Sequence, residues 1–304
     1  MILNSLFPVF TIILLGNILK KIGFVDRDFF LASDRLVYYI FFPCMLFWKI
    51  GTGKTSTDFD FSLFAASLCA VLVVFIISTL YIFLARIPAF QAGSFSQSCY
   101  RFNTYVGMAI ILKTAGDSGV ILFAVLIGFI ILVINLLSVS ILIWFSDKDY
   151  TAKEKWVYLI RSLASNPIVL GCLAGIAFSL TGIRLPVFID NTLSLIAMVT
   201  LPLALISIGS AISLKQLQGH FKLSMAAAVF KLILLPVTGV FFMKIFGLTG
   251  AAFQTGLIFF CLPTSPAIYV LSSQMNSDTE LASASIVVST LLSFVSLSIA
   301  LTLL

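Results

Sequence analysis

Apolar residues run for about twenty positions at a time along this chain, and polar residues gather in short groups between the runs. The runs fall at roughly 3–20, 31–50, 62–86, 94–114, 119–146, 156–180, 187–213, 222–246, 250–274 and 281–304. A bilayer crossing takes about 20 predominantly apolar residues in a helix. Only helices and closed barrels satisfy every backbone donor and acceptor inside lipid. The strict alternation of barrel strands is absent here. The pattern therefore predicts an all-α membrane protein with ten transmembrane helices, called spans 1 to 10 in this section. The longest polar connection, SDKDYTAKEK at Ser146–Lys155, stands in the middle of the chain. No basic residue precedes the first run, and Lys20 and Lys21 follow it. That order differs from a cleaved signal peptide, so the first run is expected to be a retained helix.

Basic residues set the orientation. Connections after spans 1, 3, 5, 7 and 9 hold eleven Lys/Arg, whereas those after spans 2, 4, 6 and 8 hold five. The positive-inside rule puts the odd connections, including the linker at 147–155, in the cytoplasm and both termini outside. Short matches also recur along the chain. PAFQAG at 88–93 pairs with AAFQTG at 251–256, FSLFAAS at 61–67 with FKLSMAA at 221–227, Asp117 with Asp278, and Pro43 with Pro202. Their order and near-constant offset point to a duplication. Residues 1–146 then form a first five-helix repeat and 156–304 a second. Because five is odd, the second copy enters the membrane from the opposite side. An inverted 5+5 repeat is typical of secondary transporters, whose sites lie near the midplane at broken helices in matched positions.

Spans 4 and 9 are the candidates for breaks, with a crossing between them. Span 9 holds Pro263 and Pro266 in LPTSPAIY, and each removes a backbone donor and crowds the preceding turn. Span 4 holds Ser94, Ser96, Gln97, Ser98, Arg101, Asn103 and Thr104, too polar a set for lipid. Laying Phe90 on Phe253 places Arg101 over Thr264 and Asn103 over Pro266. Two plainer readings stand beside this one: a packing kink at the prolines, and hydrogen bonds that merely join helices. The candidate substrate-binding set is Arg101, Asn103, Thr104 and Gly107 with Pro263, Thr264, Ser265, Pro266 and Tyr269. Arg101 and Lys231 are the ionisable residues deep within spans, and no Asp or Glu lies mid-span. Buried cations without acidic partners in their spans suggest an anion arriving from solution. Lys231, about ten residues into span 8, either has a charge role or snorkels to the surface. Asn166–Pro167 reads as a kink near the start of span 6 or, alternatively, as part of a ligand site. Asp117 and Asp278 read as helix-end groups.

Composition narrows the function. Hydrophobic residues make up 61% of the chain, charged residues 10%, and mean hydropathy is +1.16. Soluble domains carry about 25% charged residues, so a sizeable soluble module is not expected. The net charge of +6 follows the loop bias and implies no nucleic-acid partner. Five cysteines lie in apolar runs without a CxxC, and His220 is the single histidine. No metal site, cofactor or catalytic residue is expected. An intramembrane protease would need paired Asp, a Ser/His pair or HExxH within the spans.

The segments NTYVG (103–107), SNPIVLG (165–171), LPTSPAIYVLSSQMNSD (262–278) and ASASIVVSTLLS (282–293) resemble those of bacterial members of the auxin efflux carrier family. Each motif is short, and their order along essentially the whole chain carries the resemblance. It implies the fold of the bile acid–sodium symporters. There, helices 1, 2, 6 and 7 form a scaffold, helices 3–5 and 8–10 form a transport domain, and broken helices 4 and 9 cross. The family includes plant auxin exporters and bacterial carriers assigned to malonate, malate or related acids. It implies a homodimer formed through scaffold helices and a place in the bacterial inner membrane. Two departures stand out: span 4 has no proline, and the long cytoplasmic loop of many plant members is absent. Gly107 can relax a helix without forcing a break. The expected function is secondary active or voltage-driven transport of small organic anions, by an elevator-type movement of the crossover domain. The alternatives are sodium-coupled symport of an organic anion and a transporter-like ligand sensor. Sodium would need an oxygen cage, which Asn103, Thr104, Thr264, Ser265 and unwound carbonyls could supply.

Overall fold

Every regular element in the computed structural model is helical, and no strand occurs among the described residues. Those residues are 2–53, 61–146, 151, 153, 157, 160, 166–212, 217 and 219–304. The linker expected at 147–155 lies largely outside them. Among the described residues, six helices are long and apolar enough to cross a membrane: Arg27–Thr52, Phe61–Leu84, Gly116–Trp144, Val187–Ala211, Phe221–Ile245 and Thr279–Thr302. The other expected spans look different. The first is the helix Ile2–Lys21. The fourth is two short helices, Ala89–Tyr100 and Thr104–Thr114. The ninth is Gly250–Phe260 and Ala267–Gln274.

The described helix of the sixth span starts at Pro167 and ends at Leu180, with Asn166 as its N-cap. The Asn166 Oδ1 accepts from the backbone N–H groups of Ile168 (3.0 Å) and Val169 (3.5 Å). Proline in the first turn costs nothing because that N–H has no helical partner anyway. Asn166–Pro167 is thus a helix start. Asp278 likewise caps Thr279–Thr302, its Oδ1 accepting from Glu280 N and Leu281 N. It opens that helix instead of closing the one before.

Two long helices are widened by one π-helical turn, Val37–Phe41 and Phe230–Leu234. Each turn is followed by a proline at the second position beyond it, Pro43 and Pro236. A proline strips the carbonyl four residues back of its donor and crowds it. For Pro236 that carbonyl belongs to Leu232, and the Ser296 hydroxyl donates to it at 3.4 Å. The wider turn gives the ring room without ending the helix.

The chain divides into two compact units. The first contains 1–60, 105–129 and 165–212. Its helices pack through small residues. A Cβ added to Gly16 would fall on the Ile206 carbonyl oxygen, and one added to Gly209 on that of Ile13. The backbones of Ile2–Lys21 and Val187–Ala211 therefore touch. Asn17 Nδ2 donates to Ile212 O at 2.7 Å, and Lys20 Nζ to Ser210 O at 2.7 Å, which satisfies carbonyls at the end of the second helix. Gly171 faces the Pro43 backbone in the same way.

The second unit contains 61–104, 130–164 and 213–304. Its central element is Thr279–Thr302, in which Ser283, Ser285, Ser289, Thr290 and Ser293 are all buried. Buried hydroxyls at this density need partners. Ser285 donates to Ser224 at 3.4 Å, and Ser293 donates to the Thr290 carbonyl at 2.8 Å. The candidate residues lie in this unit, apart from Gly107.

Candidate functional site

The helix Ala89–Tyr100 ends when Arg101 turns extended (φ −67°, ψ 148°), its N–H still closing on Gln97 O at 3.0 Å. Arg101, Phe102 and Asn103 are non-helical, and helix resumes at Thr104. No proline forces this. Two of them are held by contacts distant in sequence: Phe102 packs edge-on against Phe259 at 4.6 Å between ring centroids, and Asn103 N–H donates to Pro263 O at 2.9 Å.

The second interruption runs from Cys261 to Pro266. Here the prolines act as the sequence suggests. Pro263 cannot supply a donor to Phe259 O, which accepts instead from Leu262 N–H at 3.4 Å. Pro266 takes the N-cap position of Ala267–Gln274. Between them, Thr264 is clamped from both sides. Its N–H donates to the Ser289 hydroxyl at 3.1 Å, and its own hydroxyl donates to Ser98 O at 2.8 Å. The Ser265 hydroxyl accepts from Ala267 N–H at 3.3 Å.

The two interruptions therefore meet: Asn103 against Pro263, Phe102 against Phe259, Ser98 against Thr264. Arg101 is 8% exposed, Asn103 0% and Thr264 1%, so these polar groups sit in the interior of the unit. Tyr269 is 45% exposed. Gly107 lies within Thr104–Thr114, in the stretch assigned to the first unit. Ser98 stood in the sequence pattern as one of several polar residues, and Ser289 stood there only within the segment 282–293. The signal for it is the four-residue spacing of Ser285, Ser289 and Ser293, which puts three hydroxyls on one helix face.

Among the described residues, the buried charged side chains are Arg101, Lys231 and Asp278. Asp278 is committed to its cap and to Gln91, whose Nε2 donates to it at 3.0 Å. Lys231 is fully buried. It does not snorkel: its Nζ donates to Phe260 O at 3.4 Å. The interior of this unit thus has two basic groups near the interruptions. Arg101 adds a planar fork of five N–H donors, a shape suited to carboxylate.

Comparison with known proteins identifies the family. A model for the family described as "Membrane transport protein" matches residues 1–301. The chain is similar to the "Uncharacterized transporter YfdV" of Escherichia coli strain K12, at 24% identity over 296 residues, covering 95% of this chain and 93% of that protein. It is equally similar to the proteins of that name in Escherichia coli O157:H7 and Shigella flexneri, with the same identity and coverage. With ten apolar runs, six long apolar helices and a family match over nearly its whole length, the chain belongs to the membrane transport protein family, that of the auxin efflux carriers.

Proposed function

We propose that this transporter carries small organic anions, carboxylates above all, across the bacterial inner membrane, and that the substrate binds where the two interruptions meet. The observation that carries the reading is the buried Arg101 guanidinium one residue from Phe102 and two from Asn103, which join the two interruptions. A cation in lipid is costly and is a functional hypothesis by default. Arg101 and Asn103 hold the carboxylate, and Thr104, Thr264 and Ser265 line the remaining polar face. Pro263 and Pro266 keep the backbone open beside them. The paired interruptions support a ten-helix inverted repeat in which helices 4 and 9 are broken and cross. The first compact unit holds the expected scaffold spans 1, 2 and 7 and most of span 6, together with the second half of span 4 and the start of span 5; a scaffold built on it lets the rest act as the transport domain, with alternating access by elevator-type movement. A homodimer through scaffold helices follows from the family resemblance.

The test is uptake of labelled mono- and dicarboxylates by proteoliposomes, with ligand-induced thermal stabilisation read in parallel. The reading expects at least one carboxylate to be bound and carried by the wild type and lost with Arg101→Ala. A folded Arg101→Ala protein that binds and carries it as well as the wild type overturns the site assignment. A panel in which every anion fails while a cation or neutral solute is carried overturns the substrate class.

A further inference from the structure

The end of Gly250–Phe260 poses a bookkeeping problem that Lys231 solves. A helix terminus leaves its last four carbonyls without intrahelical donors, and in a membrane interior water is absent to satisfy them. Here these carbonyls belong to Leu257, Ile258, Phe259 and Phe260. Cys261 N–H is shared among the first three, and Leu262 N–H reaches Phe259 again. Phe260 O accepts from the Lys231 amino group, 29 residues away on another helix. That carbonyl lies at the negative end of the helix dipole, next to the interruption.

Three further observations show that Lys231 is set there by the fold. It is completely buried. It sits in the π-helical turn Phe230–Leu234, a feature that recurs at functional sites. Polar oxygen lies on its own turn as well: the Ser296 hydroxyl donates to Leu232 O, one residue along, at 3.4 Å. Unwound carbonyls with neighbouring hydroxyls are the ligand set by which broken-helix carriers hold a coupling cation. An alkali cation and a lysine amino group answer the same need at such a place.

We infer that Lys231 is a tethered substitute for a coupling cation: its amino group fills a monovalent-cation site at the end of Gly250–Phe260 and frees transport from sodium. This rests on the carrier reading. It also assigns the ion dependence of that carrier: wild-type activity runs without sodium, and removing the amino group opens a site that an alkali cation can fill.

The experiment uses the purified full chain, with Lys231→Ser and Lys231→Gln, in sodium, lithium, potassium or choline at constant ionic strength. Melting temperature is the first readout and carboxylate uptake in proteoliposomes the second. The wild type is expected to show equal melting in all four salts. Each variant is expected to melt lower in choline and to recover in one alkali cation, since a ligand bound only by the folded state stabilises by mass action. Uptake by the variants should be about tenfold lower in choline than in that cation. Lys231→Arg, which keeps a donor for Phe260 O, should stay indifferent to the salt. Sodium-specific stabilisation of the wild type overturns the inference, as do folded Ser and Gln variants indifferent to every cation. Both variants are prepared in parallel in sodium, lithium and potassium, so their failure to fold in all three overturns it as well. Melting needs no carboxylate. A cation-dependent variant of a protein that carries no carboxylate would refute the substrate reading and leave this one standing.

Discussion

Arg101 is where a single side chain decides most. It is buried at the end of Ala89–Tyr100, and in the proposed binding mode replacing it by Ala would remove a charge-assisted contact to the carboxylate. Such contacts are worth about 1.5–3 kcal/mol, so affinity measured by titration or thermal stabilisation should fall about ten- to hundredfold. Asn103 contributes its backbone to Pro263, which no side-chain substitution removes. Asn103→Ala should therefore weaken binding while leaving the contact between the interruptions in place. Both residues could be read from the sequence as out of place in lipid. Their surroundings could not. Thr264 depends on Ser98 and Ser289, and neither partner lies within twenty residues of it in the chain. Lys231 shows the same limit: ten residues into a helix it looks free to snorkel, and only the fold brings Phe260 O to it.

At the scale of helices, the signals differ in how local they are. Hydropathy marks the long helices well because lipid is a uniform solvent and length in it is a one-dimensional property. The ninth span announces its interruption through two prolines, a purely local cause. The fourth carries no such mark. It is interrupted because Phe102 and Asn103 bond to residues some 160 positions away, information absent from any window of sequence. The π-helical turns lie between these cases, since Pro43 and Pro236 disturb the helix locally but the wider turn is one of several ways to absorb them. Two substitutions test these elements. Asn166→Ala removes the cap of Pro167–Leu180 and should cost about 1 kcal/mol, read as lower resistance to denaturant. Gly209→Ala puts a methyl on the Ile13 carbonyl. The two backbones must separate, so the loss should be larger, about 1–3 kcal/mol or more, with lower melting and less folded protein.

For the whole molecule, orientation and charge movement are the properties to measure. The bias of eleven against five basic residues predicts that the end of the chain's ninth span lies on the cytoplasmic side. Glu280, exposed beside that connection, and Ile183, 64% exposed on the opposite set, are suitable reporters. In a cysteine-free background, Ile183→Cys should react with an impermeant maleimide on intact cells, and Glu280→Cys should react only after permeabilisation. The reverse pattern would invert the topology. Among the described residues the buried acid is Asp278, already engaged as a helix cap. On the proposed mechanism, with no buried carboxylate but Asp278 among the described residues, the anion should cross with its charge. An imposed membrane potential should then speed uptake in one direction and slow it in the other.

The π-helical turn at Phe230–Leu234 carries a consequence of phase. Such a turn holds one residue more than an α-helix needs, and each α-helical residue advances the helix by about 100°. Deleting Ile233, which is 58% exposed, would take almost nothing from the packed interior. It would also let the turn relax to α geometry with the flanking segments almost in phase, because five π-helical residues and four α-helical residues turn the chain through nearly the same angle. Lys231 would keep its approach to Phe260 O. That deletion should therefore leave melting as indifferent to the salt as in the wild type, in contrast to Lys231→Ser, which separates the surplus residue from the amino group it accompanies.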